Sequence, residues 1–152
     1  MSHDVFLRWA QIHKASKHLS EKLSDKNWYG IVAVTRGGMI PACLVARELN
    51  IALIETFCIA TYSFKDQNKA DIAKPLSLME GGRDWLVIDD LVDSGQTFEI
   101  IRGMIPNAHY ACLYAKPQGE KQADTFVESF PQDNWVHFPW EVDADTGNPQ
   151  GK

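Results

Sequence analysis

The chain has few cysteines, no basic tract and no apolar run long enough to cross a membrane, and each absence removes a class of function. The three cysteines, Cys43, Cys58 and Cys112, are odd in number and lie far apart in apolar sequence. With no metal-site spacing among them, they read as buried free thiols in a reducing compartment, not as a disulfide framework. Net charge is −5 with no Lys/Arg cluster. Binding a nucleic-acid backbone needs clustered cations, so no nucleic-acid partner is expected. A small phosphorylated ligand needs only a local cradle and stays open. No apolar run approaches the roughly 18 residues of a membrane helix. Met1-Ser2-His3-Asp4 does not open a signal-peptide pattern, so a cytoplasmic location is expected.

What is present fits one domain. With 152 residues, 45% hydrophobic and 23% charged, residues 1–152 read as a single globular unit with room for a real core. The chain is organised around Trp85-Leu86-Val87-Ile88-Asp89-Asp90-Leu91-Val92-Asp93-Ser94-Gly95-Gln96-Thr97. Its first half is a β-branched apolar run, the mark of a buried strand. Its second half carries Asp89, Asp90 and Asp93, a Ser-Gly turn, and Thr97 as a candidate cap for a helix over 98–105. A strand, turn and helix in that order point backbone N–H groups at an anion. Clustered carboxylates repel by about 1 kcal/mol per pair in water and several-fold more when partly buried. A metal ion, ligand hydroxyls or a proton must offset that repulsion. A sugar phosphate with a divalent cation meets both halves of the stretch.

The remaining elements read in order. Trp9, Ile12, Ser16, Leu19 and Leu23 form one stripe at helical spacing, predicting a helix over 7–23. Ile31-Val32-Ala33-Val34 is a short buried strand, followed by Arg36-Gly37-Gly38 and, from Pro41, a helix ending near Asn50. The glycines permit close backbone approach, and the Arg36 guanidinium suits a polyphosphate. A second strand is expected over 52–60, giving a parallel βαβ unit. Residues 61–83 are polar and weakly periodic, a candidate lid that excludes water from a site. Strands are expected over 109–115 and, at an edge, 124–129. Lys116 follows the former at the sheet end where open α/β folds hold ligands. Pro131 to Trp140 is an aromatic strap, and the polar tail at 143–152 is expected to fray.

The combination of an apolar strand, Asp89-Asp90 and Asp93-Ser94-Gly95-Gln96-Thr97 resembles the phosphoribosyl pyrophosphate (PRPP) motif of type I phosphoribosyltransferases. The segments Gln11-Ile12-His13, Val34-Thr35-Arg36-Gly37-Gly38, Ala46-Arg47-Glu48-Leu49, Ala115-Lys116-Pro117 and Pro131-Gln132-Asp133-Asn134-Trp135 extend the resemblance over nearly the whole chain, toward the purine-salvage branch. It implies a mostly parallel central sheet flanked by helices, with a small hood of terminal segments and a flexible lid. Asp89 and Asp90 would hold ribose hydroxyls and Mg²⁺, with Asp90 the metal contact. Arg36, Gly37 and Gly38, in a loop that often carries a non-proline cis peptide, would bind pyrophosphate with Lys69 of the lid. Asp93 and the loop Ser94, Gly95, Gln96 and Thr97 would hold the 5′-phosphate. Asp93 would also act as general base on the purine, Lys116 would bind its 6-oxo group, Trp135 would stack on it, and the Val136 backbone would read its 2-substituent. The substrates implied are PRPP and a 6-oxopurine, guanine or xanthine ahead of hypoxanthine. The resemblance also implies a homo-oligomer, dimer or tetramer, and allows peripheral association with the inner membrane. Two alternatives remain: a hypoxanthine-preferring enzyme, and a non-catalytic PRPP- or nucleotide-sensing regulator. The joint presence of Asp93, Lys116 and Trp135 favours an enzyme. The clustered acids also suggest an Asp-nucleophile phosphatase, which is disfavoured because the phosphate cradle follows the carboxylates and no Asp-x-Asp pattern ends the strand.

Overall fold

A computed structural model describes residues 2–60, 71–72 and 76–141. Lys69, most of the expected lid and the 143–152 tail lie outside those residues. Along the chain come β1 (Asp4–Phe6), α1 (Trp9–Lys22), β2 (Gly30–Val34), α2 (Met39–Glu48), β3 (Ile54–Phe57), β4 (Ile59–Ala60), β5 (Asp71–Ile72), β6 (Trp85–Val92), α3 (Gln96–Arg102), β7 (His109–Ala115), β8 (Thr125–Ser129) and β9 (Trp135–His137).

Five strands form one sheet in the order β3-β2-β6-β7-β8, with every neighbouring pair parallel. Parallel strands covered by helices on both faces bury both sets of side chains, so β2 and β7 read as near-continuous apolar runs. Alternation sends neighbouring residues to opposite faces. Ile31, Ala33, Leu86 and Ile88 pack with Ile12, Leu19 and Val45 of α1 and α2. Val32, Val34, Trp85 and Val87 pack with Phe98 and Ile101 of α3 and with Phe57. Polar residues gather where β2, β6 and β7 end.

Two smaller ribbons stand apart. β4 and β5 pair antiparallel and bracket residues 61–70. β1 and β9 pair parallel, with Asp4 opposite Trp135 and Phe6 opposite His137. This second ribbon is the hood, made of segments from near both ends of the chain. Val136 and Phe138 are buried in the core shared with α1 and α2, so β9 is fixed to the body while its alternate residue, Trp135, stays 66% exposed.

Several local expectations change. Cys43 and Cys58 are exposed, and only Cys112 is buried. Cys43 lies between buried positions of α2 on the helix's outer face, and Cys58 sits at a break that divides the expected 52–60 strand into β3 and β4. Trp9 is 49% exposed. It stands at the first turn of α1, where its ring leans on Trp140 at 5.9 Å instead of entering the core. Thr97 does not cap a helix over 98–105. Gly95, with φ of 87°, turns the chain so sharply that Gln96 is already helical.

Candidate active site

The C-terminal end of β6 supplies the acids. The side-chain oxygen of Asp89 accepts the Asp90 N–H at 2.8 Å, and that of Asp90 accepts the Leu91 N–H at 2.7 Å. Each carboxylate therefore leans along its own strand end. Burial, then the neighbouring Asp90 charge, holds the Asp89 carboxyl well above the usual carboxylate range. Burial raises Asp90 too, and the charge of Glu141 from the hood adds to it. Among the described residues no Lys or Arg pairs with either acid. Two crowded carboxylates that no described Lys or Arg neutralises fit a hard divalent cation, which Mg²⁺ sites typically hold through one or two carboxylates plus substrate oxygens.

This crowding has a thermodynamic consequence. Folding raises these two pKa values, so the folded chain binds more protons than the unfolded chain between the ordinary carboxylate value and the raised ones. Stability without ligand then falls as pH climbs through that interval. Asp89→Asn keeps an acceptor for the Asp90 N–H and removes one charge. Thermal unfolding near neutral pH should show a midpoint about 2–4 °C higher for each kcal/mol of repulsion relieved, with a flatter pH dependence. A lower midpoint would show that the pair is not a source of strain.

The β2–α2 loop lies against this acid pair. The Thr35–Arg36 peptide is cis, as the resemblance implied for this loop, and the Arg36 side chain is exposed. A Cβ on Gly37 would collide with the Asp90 carboxylate, and one on Gly38 with the carbonyl oxygens of Ile88 and Val34. Gly38 N–H donates to Val34 O at 2.8 Å, and the next turn of α2 returns Ala42 N–H to Gly38 O. The loop backbone is thus pressed onto the acids, close enough for one ligand to touch both.

Beyond Val92 the chain forms the loop Asp93-Ser94-Gly95. Ser94 Oγ accepts the Gln96 N–H at 3.3 Å, and Glu99 N–H donates to Gly95 O at 3.0 Å. The loop rests on Gly119, where a Cβ would meet Asp93 O and Val92 Cγ1, each at 2.6 Å. Gln122 packs over Gly95 in the same way. Sequence reasoning gave no role to Gly119 or Gln122. Their one signal is the position of Gly119 just past the Lys116-Pro117 strand end, facing a loop distant in sequence.

Asp93 is the meeting point of three elements. Lys116 Nζ, at the end of β7, donates to Asp93 Oδ2 at 3.0 Å, and the Lys116 side chain is only 6% exposed against 56% for Asp93. Gln132 Nε2, from the β8–β9 connection, donates to Asp93 Oδ1 at 2.7 Å. Lys116 N–H donates to Val92 O at 2.9 Å, tying the two strand ends. A buried ammonium needs a partner, and here the partner is a carboxylate open to solvent on its other side. Gln132 was missed as a functional residue, although it lies in the Pro131-Gln132-Asp133-Asn134-Trp135 segment.

That connection also delivers Trp135 and Val136. Trp135 N–H donates to His3 O, and Leu7 N–H donates to His137 O. Residues 135 and 137 thus face β1, and strand alternation turns the Val136 N–H and C=O to the opposite edge of the ribbon. His137 Nε2 lies 2.9 Å from Asp4 Oδ1 and its ring stacks on Phe6 at 4.4 Å, which locks the two hood strands together.

Parallel sheet, acid pair, glycine loop and a strand-to-helix turn at one sheet edge define a fold-and-site class. Residues 3–146 match the family described as the phosphoribosyl transferase domain. The chain belongs to that family. Among curated relatives, the xanthine-guanine phosphoribosyltransferase of Desulfotalea psychrophila is 47% identical over 145 residues, covering 94% of this chain and 89% of the relative. That of Chromohalobacter salexigens is 42% identical over 134 residues, covering 88% and 82%. Among solved structures, a purine phosphoribosyltransferase from Pyrococcus horikoshii superposes with a TM-score of 0.76 at 28% identity, covering 92% of this chain and 95% of that one. The xanthine-guanine-hypoxanthine phosphoribosyltransferase of Helicobacter pylori shares the fold, with a TM-score of 0.80 at 24% identity over 94% and 97%.

Proposed function

We propose that this chain acts in purine salvage, transferring the 5-phosphoribosyl group of PRPP to N9 of guanine or xanthine, and more slowly of hypoxanthine. The observation that carries this reading is the Lys116–Asp93 pair, a buried cation and an open carboxylate beside the phosphate-type loop. That pair matches a planar base with a 6-oxo acceptor and an N7 proton.

In the reaction the bond from C1 to pyrophosphate breaks as N9 bonds to C1. Charge develops on a ribosyl cation and on the leaving group. The Arg36 guanidinium and the Gly37-Gly38 backbone face the leaving group, joined by Lys69 of the lid. Preorganised donors of this kind usually supply the largest part of the stabilisation. Asp89 and Asp90 hold the ribose hydroxyls. Asp90 is the contact for Mg²⁺, which when bound supplies positive charge to the departing pyrophosphate. The Ser94, Gly95, Gln96 and Thr97 loop holds the 5′-phosphate through hydrogen bonds of about 1.5–3 kcal/mol each. Asp93 takes the N7 proton. Lys116, whose ammonium carries three donors, keeps Asp93 and donates another N–H to O6. Trp135, exposed on an anchored strand, stacks on the ring. The outward N–H and C=O of Val136 read the 2-substituent, which separates guanine and xanthine from hypoxanthine.

Cytoplasmic location and assembly into a dimer or tetramer belong to the same proposal. Among the described residues no helix is long and apolar enough to cross a membrane. Among the described residues, Leu53 and Ile54 leave apolar surface at the β3 edge of the sheet, which a neighbouring subunit would cover. The deciding experiment is a product assay with PRPP, Mg²⁺ and each of guanine, xanthine, hypoxanthine and adenine. The expected products are GMP and XMP, IMP more slowly, and no AMP. Fastest IMP formation would identify a hypoxanthine enzyme. No nucleotide from any base would overturn the catalytic reading in favour of a sensor.

A further inference from the structure

We infer that Gln132 is a positioning residue for the Asp93 carboxylate, a role that rests on the function proposed for that site. A carboxylate on a single methylene rotates about two torsions. Lys116 holds one oxygen at 3.0 Å, but an ammonium is a compact charge with rotatable donors and sets no plane. Gln132 holds the other oxygen at 2.7 Å. Two contacts from opposite sides, one from the end of β7 and one from the β8–β9 connection, define the plane of the group. The amide itself cannot turn over freely, because its Oε1 accepts the Gln118 N–H at 2.9 Å. Only Nε2 is then left to face Asp93, so the hydrogen-bond network settles the orientation of the amide.

The choice of residue type has a reason. A second cation at this place would neutralise the carboxylate that has to receive a proton. An amide orients it and leaves its charge in place. Each carboxylate oxygen has a second lone pair, so the contacts with Lys116 and Gln132 leave room for a base proton. Gln132 also links the base side of the site to the phosphate loop. It sits three residues before Trp135, so one side chain ties the stacking strand to the acceptor carboxylate.

The test is a double-variant cycle with Gln132→Met, which keeps length and loses the donor, and Asp93→Ala. With guanine as substrate, Gln132→Met should lower kcat about 10- to 100-fold, the scale of a catalytic group displaced by about 1 Å. KM for PRPP should stay within about two-fold. In the Asp93→Ala background the same change should cost less than about two-fold, because nothing remains to be positioned. Equal losses in both backgrounds would make Gln132 purely structural and overturn the inference. Gln132→Glu is the second variant: it fits the same space, cannot donate when ionised, and should lose at least as much kcat. Should the wild type make no nucleotide, the proposed function fails instead, and the same cycle read by urea midpoints decides this point. A double variant less destabilised than the sum of the singles supports the Gln132–Asp93 tie, and additive shifts overturn it.

Discussion

Asp93→Asn should lower kcat by about 10²- to 10⁴-fold, the range a positioned general base contributes, while PRPP binding changes little. The asparagine keeps the size of the side chain and an acceptor for Gln132 or Lys116, so the loop at 93–97 retains its support. What it loses is the carboxylate that the proposed function assigns to the N7 proton. It also leaves Lys116, whose side chain is 6% exposed, without its carboxylate at 3.0 Å, so the thermal midpoint should fall as well. Asp93→Asn combined with Lys116→Met separates the two effects. Removing the orphaned charge should restore the midpoint without restoring turnover. A kcat within ten-fold of the wild type in Asp93→Asn would strip Asp93 of its assigned role.

The two loop glycines should respond to the same substitution in opposite ways. In Gly38→Ala the new methyl meets main-chain atoms of two central strands: the carbonyl oxygens of Val34 and Ile88 and the Asp89 Cα. Neither strand can retreat, since β2 and β6 are paired from Gly30–Trp85 to Ala33–Ile88. Overpacking of this kind destabilises by about 1–3 kcal/mol or more, so the variant should unfold at clearly lower temperature or urea. In Gly37→Ala the three atoms nearest the new methyl all belong to the Asp90 carboxylate, the end of a side chain that can swing aside. Stability should change little, but the carboxylate then leaves the place where a metal and ribose would find it. Activity with PRPP should fall by at least about 100-fold, consistent with a functional group moved by an ångström, and raising Mg²⁺ should not recover it. Equal loss of folding in both variants would show that the Gly37 contact is packing alone.

The central strands were legible because a strand buried on both faces must be largely apolar, as β2 is throughout and β7 is after His109. The candidate site was legible in sequence where its residues lie within one segment: Asp89, Asp90, Asp93 and the turn to Thr97 follow one another at a strand end. The resemblance to the phosphoribosyltransferases supplied the roles, and the match over residues 3–146 bears out the family. Less of the hood was readable. β1 is three residues long, too short for any periodicity to register, and only its pairing with β9 makes it a strand. The exposed thiols of Cys43 and Cys58 were misread because apolar neighbours in sequence do not show which face of α2, or which side of a strand break, a residue occupies.

By itself the sequence determined the fold class, the family and the segments that carry the acids and the turn after β6, because periodicity and local turn chemistry act over a few neighbouring residues. Only the tertiary structure decided what meets what. It set Lys116 and Gln132 on the two oxygens of Asp93, pressed Gly37 against Asp90, and slid Gly119 beneath the loop. Such contacts join residues from about 20 to more than 50 positions apart, and their distances depend on how β2, β6, β7 and the β8–β9 connection converge at one sheet edge. No local pattern encodes that convergence, since it is the parallel sheet that brings those ends together.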